Sequence, residues 1–176
     1  DMANIGAIKT PAQALPSAGL GNQTSATLFT NSSSAAIAIQ LPGGDLLKNK
    51  CFKLRAWGRA TTGGSITFKP ETYIGTAKTT SDTKIASGTA RTIATTTAPW
   101  LVEAQLVWDA TGQKIHGYFS AMCNNLFDTT AALSNAVTSA NSSTDPGNQY
   151  CTVSGIFGSS NSSNTAFLDG FELIEE

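Results

Sequence analysis

A strict alternation of apolar and polar side chains runs through residues 51–60. The side chains of a strand point alternately to its two faces. One face of this segment therefore carries Phe52, Leu54, Ala56 and Gly58, and the other carries Lys53, Arg55, Trp57 and Arg59. The pattern predicts a strand that buries its first face in a core and presents a cationic surface with a tryptophan. After the glycine turn 61–64, residues 65–70 predict a second strand that pairs with the first as a hairpin.

A second hairpin is predicted between residues 100 and 120. Trp100–Trp108 alternates around a core face, and Gln113–Ser120 returns after a turn that ends in Gly112. The core face consists of Val102, Ala104, Leu106 and Trp108. Shorter strand-like runs are Thr27–Thr30, Ala35–Gln40, Glu71–Ile74, Lys84–Ala86, Thr89–Ala94, Tyr150–Phe157 and Thr165–Ile174. About eight strands with polar turns and no βαβ alternation predict an all-β antiparallel sandwich, jelly roll or barrel.

Two sequence features bear on the organisation of the chain. Residues 1–25 are interrupted by proline and glycine and predict an extended N-terminal arm, followed by a single β domain over residues 26–176. The arm carries isolated apolar residues, which favour docking along a neighbour over a free terminus. These residues are Ile5, Ile8, Leu15 and Leu20. Pro70, which has no N–H, indicates an edge strand or a bulge.

Charge and hydropathy narrow the classes of partner. Charged residues make up 13% of the chain, about half of the usual ~25%, and this favours a surface that is partly covered in an assembly. The net charge of −1 and the scattered basic residues argue against a nucleic-acid partner. No apolar run approaches the ~20 residues that a membrane helix needs, and no signal-peptide pattern begins the chain.

The residues that usually carry chemistry do not form a recognisable motif. The single histidine, His116, has no triad partner at a suggestive spacing, and Glu103 is expected to face Lys114 or His116 across the second hairpin. The three cysteines, Cys51, Cys123 and Cys151, have no metal-site spacing. We expect Cys51 and Cys151 to be reduced and buried rather than bridged, which fits production in a cytosol. The sequence predicts no enzyme, no metal site and no cofactor.

Trp57 is the best exposed aromatic candidate, because the alternation puts it on the polar face. An exposed tryptophan on a β-sandwich can stack against a sugar, whereas a tryptophan on a cationic face can also be covered by a second sheet or a neighbouring subunit. The sequence leaves both interpretations open. We take Lys53, Arg55, Trp57 and Arg59, together with the apolar residues of the arm, as the predicted partner interface.

Four segments together resemble a family of virion proteins. They are Phe52–Gly64, Pro99–Leu106, Thr111–Phe119 and Asn164–Leu173. In this order they look like the jelly-roll head decoration (cement) proteins and minor structural proteins of tailed bacteriophages. The resemblance implies a homotrimeric jelly roll, made in the bacterial cytoplasm, that binds the major capsid protein on the outside of the head and stabilises contacts between capsomers. The alternative is a tail-associated or fibre β module that binds host glycans.

Overall fold

The described part of the chain is all-β. The computed structural model describes residues 8–9, 15–41, 51–93, 97–109, 114–124, 126–128, 137–138 and 149–176, with the backbone alone for 8–9, 86, 108–109, 114–119, 126–128 and 137–138. The strands are β1 Ile8–Lys9, β2 Thr27–Leu28, β3 Ala38–Gln40, β4 Cys51–Thr61, β5 Ile66–Gly75, β6 Thr83–Ser87, β7 Arg91–Ile93, β8 Ala98–Asp109, β9 Lys114–Cys123, β10 Leu126–Asp128, β11 Val137–Thr138, β12 Tyr150–Phe157 and β13 Thr165–Glu175. Within these ranges no helix occurs, and so none that is long and apolar enough to cross a membrane.

The strands form two antiparallel sheets that pack as a β-sandwich. Sheet A has the order β1-β13-β4-β8-β9-β10, with β11 also paired to β9. Sheet B has the order β2-β12-β5-β6, with β3 paired to β12 and β7 to β5. The sequence prediction of an all-β antiparallel sandwich is confirmed, and so is the second hairpin, since β8 and β9 are neighbours in sheet A.

Alternation places the core between the sheets. The predicted inner residues of β4 and β8 are buried, namely Phe52, Leu54, Ala56, Val102, Ala104 and Leu106, while the side chain of Trp108 lies outside the described residues. From sheet B, Phe68, Ile74, Cys151, Val153 and Phe157 face them. Burying apolar side chains of this size stabilises a fold by about 1.5–3 kcal/mol each relative to exposure.

Trp100 joins the two sheets at the centre of this core. Its indole stacks on Phe29, with ring centroids 5.5 Å apart and planes 14° apart, and lies 6.0 Å from the ring of Phe68 in sheet B. Trp100 is the cross-strand partner of Gly58. A Cβ added to Gly58 would lie 2.7 Å from Cζ2 of Trp100 and would overlap the backbone carbonyl of Phe167. The ring therefore fits only because position 58 has no side chain.

The predicted hairpin of β4 and β5 is wrong. β4 lies between β13 and β8 in sheet A, whereas β5 lies between β12 and the β6–β7 pair in sheet B. The connection 62–65 therefore crosses from one layer to the other. The Thr62 hydroxyl is buried in this crossing, and its one proton is shared between the carbonyl oxygens of Gly64 and Ile93, each 2.7 Å away. A glycine-containing connection between two strands is compatible with a hairpin in one sheet and with a crossing between two sheets. The packing of the sandwich determines which connection forms, and here it is the crossing.

Pro70 lies within an interior strand, so the first alternative of the prediction, an edge strand, is wrong. The second alternative, a bulge, occurs close by, where the register of β5 against β6 shifts between Thr72 and Tyr73. On one side Pro70 pairs with Gly155 of β12. On the other side, the partner of β5 changes from β7, whose first residue lies opposite Phe68, to β6, whose last residue lies opposite Glu71. Pro70 thus lies in the gap between two short strands, where its missing N–H leaves no ladder bond broken.

The described part of the N-terminal segment lies along the free edge of β13. Ile8 is the antiparallel partner of Ile174, and Leu20 forms a bridge with Ala166. Between them, the Ser17 N–H donates to the carbonyl of Leu168 at 2.9 Å. This segment therefore covers an edge of its own sheet, which would otherwise expose unpaired backbone groups.

A buried carboxylate fixes β5 to β6. Glu71 has no accessible surface. Its Oε1 accepts from Lys69 Nζ at 2.8 Å, Lys84 Nζ at 2.9 Å and the Ser87 hydroxyl at 2.9 Å, and its Oε2 accepts from the Tyr73 hydroxyl at 2.6 Å. Burial alone would raise the pKa of Glu71, but these donors outweigh it and lower the pKa to about 2. Burial and then the Glu71 carboxylate raise the pKa of Tyr73 to about 12.

Replacing Glu71 with glutamine should destabilise the fold in a pH-dependent way. A pKa lowered from 4.5 to about 2 corresponds to about 3 kcal/mol of stability above pH 5, since one pKa unit equals 1.36 kcal/mol. This contribution is lost as the pH falls through the folded-state pKa. The difference in unfolding free energy between wild type and Glu71→Gln should therefore shrink between pH 5 and pH 2, as measured by urea denaturation.

Glu103→Gln is the matched control for that experiment. Glu103 is partly exposed in ion pairs, and exposed pairs contribute at most about 1 kcal/mol. A Glu71→Gln penalty that stayed constant from pH 7 to pH 2, or that was no larger than the Glu103→Gln penalty, would contradict the role assigned to Glu71.

Gly58→Ala should destabilise the protein by about 2 kcal/mol or more, because an added methyl group in a packed core forces displacement of its neighbours. Here the nearest neighbour is backbone. Gly64→Ala is the control, since a Cβ at position 64 meets nothing within 4 Å and should change stability by less than about 1 kcal/mol. Chemical denaturation of both variants measures the difference. Equal stabilities would refute the close approach at Gly58.

Candidate binding face

The outer face of sheet A gathers most of the residues that the sequence analysis singled out. We use this name for the side of β13, β4, β8 and β9 that points away from sheet B. Four positions of β4, those of Lys53, Arg55, Trp57 and Arg59, project from it, because their neighbours Leu54, Ala56, Gly58 and Ala60 are buried. The adjoining strands contribute Phe167, Asp169, Gly170 and Glu172 from β13, Pro99, Leu101, Glu103, Gln105 and Val107 from β8, and Ser120 and Met122 from β9.

Arg55 lies between two carboxylates. Its cross-strand partners are Glu103 on β8 and Glu172 on β13. Arg55 Nε forms an ion pair with Glu103 Oε1 at 2.8 Å, although the N–H does not donate a hydrogen bond. Arg55 Nη1 donates to Glu172 Oε1 at 3.3 Å. The guanidinium is thereby held by carboxylates on both neighbouring strands.

Lys53 and Glu176 extend this ladder of ion pairs. Lys53 Nζ lies 3.8 Å from Glu103 and 3.9 Å from Glu176, and Gln105 donates to Glu176 at 2.9 Å. The Cys51 thiol lies 3.6 Å from the same carboxylate. Partial burial, followed by the proximity of Glu176, raises the pKa of Cys51, so this thiol is protonated at neutral pH and is a poor nucleophile.

Arg59 is paired through a β-bulge. The register of β13 against β4 shifts between Leu168 and Gly170, so Asp169 is an extra residue with no partner on β4. Asp169 Oδ1 accepts from Arg59 Nη1 at 2.6 Å, and the guanidinium carbon of Arg59 lies 4.6 Å from the centroid of the Phe167 ring. The bulge therefore supplies the carboxylate that neutralises Arg59.

The expectation of a cationic face is wrong. Lys53, Arg55 and Arg59 all form ion pairs, and their partners add Glu103, Asp169, Glu172 and Glu176 to the same face, so around β4, where the side chains are described, three positive charges meet four negative ones. The expectation that Glu103 would face Lys114 or His116 is also wrong. Glu103 lies opposite Ser120, and His116 lies opposite Val107. The face is close to neutral, and its charges are fixed in place.

Trp57 lies flat on Gly170. The two residues are cross-strand partners, and a Cβ at position 170 would overlap ring atoms Cε2 and Cζ2 almost equally and lie 2.6 Å from Cη2. If Gly170 lay in the plane of the indole, beyond its edge, the added Cβ would be clearly farther than 2.6 Å from Cη2. Gly170 therefore lies beneath the face of the indole. Trp57 keeps 37% of its surface exposed. The expectation of an exposed Trp57 is confirmed for this chain on its own.

A shallow apolar groove of about 360 Å³ adjoins this ring. It is lined by Arg55, Trp57, Gly58, Pro99, Trp100, Leu101 and Met122. Trp57, Leu101 and Met122 are consecutive cross-strand neighbours on β4, β8 and β9. An apolar stripe therefore crosses three strands, with Arg55 and its carboxylates on one side and Arg59 with Asp169 on the other.

The predicted interface residues of the arm do not join this face. Leu20 is buried in the core of its own chain, and Leu15 packs against that core. A side chain buried in this way is not available to a partner, so the role predicted for Leu20 is wrong in this structure. Ile8 pairs through its backbone with Ile174. Ile5 lies outside the described residues.

Sequence reasoning missed the contribution of β13. Asp169, Gly170 and Glu172 were not recognised as parts of the face. The sequence contains a signal for this irregularity in β13. The apolar residues Ala166 and Leu168 lie at even-numbered positions, whereas Phe171 and Leu173 lie at odd-numbered positions. A change of phase within a strand indicates a bulge, and it would have placed Gly170 opposite Trp57.

The metal-ligating side chains and the thiols of the described residues are dispersed. No three His, Cys, Asp or Glu side chains among them could hold a metal ion. Cys51, Cys123 and Cys151 are free thiols, and burial raises the pKa of Cys123 to about 11 and that of Cys151 to about 12. The expectation that Cys51 and Cys151 are not bridged is confirmed, although Cys51 is only partly buried.

No protein-family model, curated protein or solved structure matches this chain.

Proposed function

We propose that this chain is a non-enzymatic virion protein, a jelly-roll head decoration protein that binds the outer surface of a bacteriophage head. In this role it contacts the major capsid protein and further copies of itself, as a homotrimer, and it stabilises contacts between capsomers. The proposal extends the resemblance of its four sequence segments to that class of protein.

The observation that carries the proposal is the order of the strands. A jelly roll is a sandwich of two four-stranded sheets in which the connections alternate between the layers as two Greek keys. β1, β13, β4 and β8 then correspond to the first, eighth, third and sixth strands of a roll, in that spatial order. β2, β12, β5 and β6 correspond to the second, seventh, fourth and fifth. On this assignment β9, with β10 and β11 paired to it, is an addition to one edge, and β3 and β7 are short additional strands of sheet B.

Two further properties support a structural role. The charged fraction of 13% suits a protein with much of its surface covered in an assembly. The ion pairs of the outer face of sheet A are satisfied within the chain, so this part of the surface carries no excess of positive charge that would favour the packaged nucleic acid over the shell.

Purified particles of the phage that encodes this chain provide the test. We expect a fixed copy number relative to the major capsid protein, measured by quantitative mass spectrometry. A particle map should show trimeric density on the outside of the head. Particles made without the chain should release their DNA at a lower temperature, as followed with a DNA-binding dye, and wild-type protein added back should restore the release temperature.

The outcome that refutes the proposal is a protein that is absent from purified particles and remains a soluble monomer. Density on the tail instead of the head would also refute it. That position would support the alternative, a tail-associated or fibre β module.

A further inference from the structure

We propose that Trp57, seated on Gly170, is the platform of a binding site for a neutral saccharide, with one pyranose ring of a polysaccharide stacking on the indole. This inference does not depend on whether the chain lies on a virion. It follows from the geometry of the platform, from the polar groups beside it and from the charge balance of the face.

The platform has the shape that a sugar ring requires. The indole lies with one face on the glycine backbone and keeps 37% of its surface exposed. Its exposed surface adjoins the groove floored by Leu101 and Met122. A pyranose ring is flat and presents C–H groups on its faces, so it can cover an indole and remove apolar surface from water. The groove volume of about 360 Å³ lies within the range of small-ligand sites, about 300–1,000 Å³.

Charged side chains lie on both sides of the Trp57 platform, within reach of the hydroxyl groups of a sugar ring stacked on it. The Arg55 guanidinium carbon lies 5.8 Å from the centroid of the Trp57 ring, and both partners of Arg55, Glu103 and Glu172, are carboxylates. On the other side Arg59 and Asp169 form the second pair. Guanidinium groups donate and carboxylates accept hydrogen bonds, so both kinds of hydroxyl contact are available. Each group is already oriented by its ion pair, which lowers the entropic cost of binding.

The paired charges beside Trp57 favour a neutral saccharide over an acidic one. Among the described side chains beside Trp57, three cations meet four carboxylates, and each of these cations lies within 4 Å of a carboxylate. An acidic polysaccharide would bring its carboxylate or sulfate groups beside these acids, where each cation described near Trp57 already pairs with a carboxylate. A polyanion such as nucleic acid is disfavoured for the same reason.

A protein partner fits this face less well than a sugar. A stable protein interface buries about 800 Å² on each side around a largely apolar centre. Among the described residues the exposed large apolar side chains are Trp57 and Val107, and Val107 lies opposite Cys51, away from Trp57 along β8. The surface between them carries paired charges, which a protein partner would have to desolvate at a cost.

Affinity electrophoresis of the whole chain tests the inference. The gels contain one neutral polysaccharide each, with dextran, laminarin, galactomannan, arabinoxylan and lipopolysaccharide O-antigen of neutral composition as probes, and alginate as the acidic comparison. We expect at least one neutral polysaccharide to retard the wild-type chain and alginate not to do so. Trp57→Ala should weaken the retardation at least tenfold, Trp57→Phe should weaken it less, and Val107→Ala should leave it unchanged.

Gly170→Ala separates the geometry of the platform from its chemistry. The added methyl group displaces the Trp57 ring while the indole itself is retained, so binding should fall several-fold even though Trp57 is present. Thermal unfolding of each variant confirms that it is folded, and protection of tryptophan fluorescence from acrylamide by the bound polysaccharide gives a second readout.

Three results would overturn the inference. The first is no retardation of the wild-type chain by any neutral polysaccharide. The second is equal retardation of wild type and a folded Trp57→Ala variant. The third is loss of capsid binding, without any sugar binding, in Trp57→Ala, because it would assign the platform to a protein partner. Failure to bind sugars leaves the virion proposal standing, and absence from virions leaves the sugar site standing.

Discussion

Two tryptophan–glycine pairs, one on each face of sheet A, set the close contacts on which the rest of the structure depends. Inside, Trp100 lies across from Gly58, and outside, Trp57 lies across from Gly170. Glycine weakens a strand because it offers no side chain to pack, but a neighbouring aromatic ring that covers the gap restores the packing. Trp100 can then reach Phe29 and Phe68 and tie the two sheets together, while Trp57 is held flat on the surface.

The ion pairs of the outer face matter more for order than for stability. Exposed ion pairs typically contribute between 0 and about 1 kcal/mol each, because holding long side chains still costs entropy. Arg55 contacts carboxylates on both neighbouring strands, so one ordered side chain serves two pairs. The result is a set of donors and acceptors whose directions are fixed before any ligand arrives. Glu71 is the opposite case, since it is fully buried and its donors stabilise the fold itself.

Local patterns in the sequence predict the strands and their faces well, and long-range pairing poorly. The alternation of β4 and β8 identifies Leu54, Ala56 and Val102 as core residues, because burial of one face imposes a period of two. It does not identify the neighbours of β4. The turn at Gly63 and Gly64 is compatible with a hairpin, and only the packing of the whole sandwich sends β5 into the other sheet. Glu172 and Asp169, which pair with Arg55 and Arg59, were missed for the same reason, since they come from β13, more than a hundred residues away.

The bulge at Asp169 allows the apolar residues of both halves of β13 to face the core. Ala166 and Leu168 must face the core before it, and Phe171 and Leu173 must face the core after it, all four being fully buried or nearly so. In a regular strand these two pairs would point to opposite faces, and Glu172 would enter the core in place of Phe171. One extra residue restores the inward direction of Phe171, turns Gly170 outward beneath Trp57 and leaves Asp169 beside Arg59. The need to bury the second half of β13 therefore creates both the seat of the tryptophan and one of its charged borders, so the outer face is a consequence of the core.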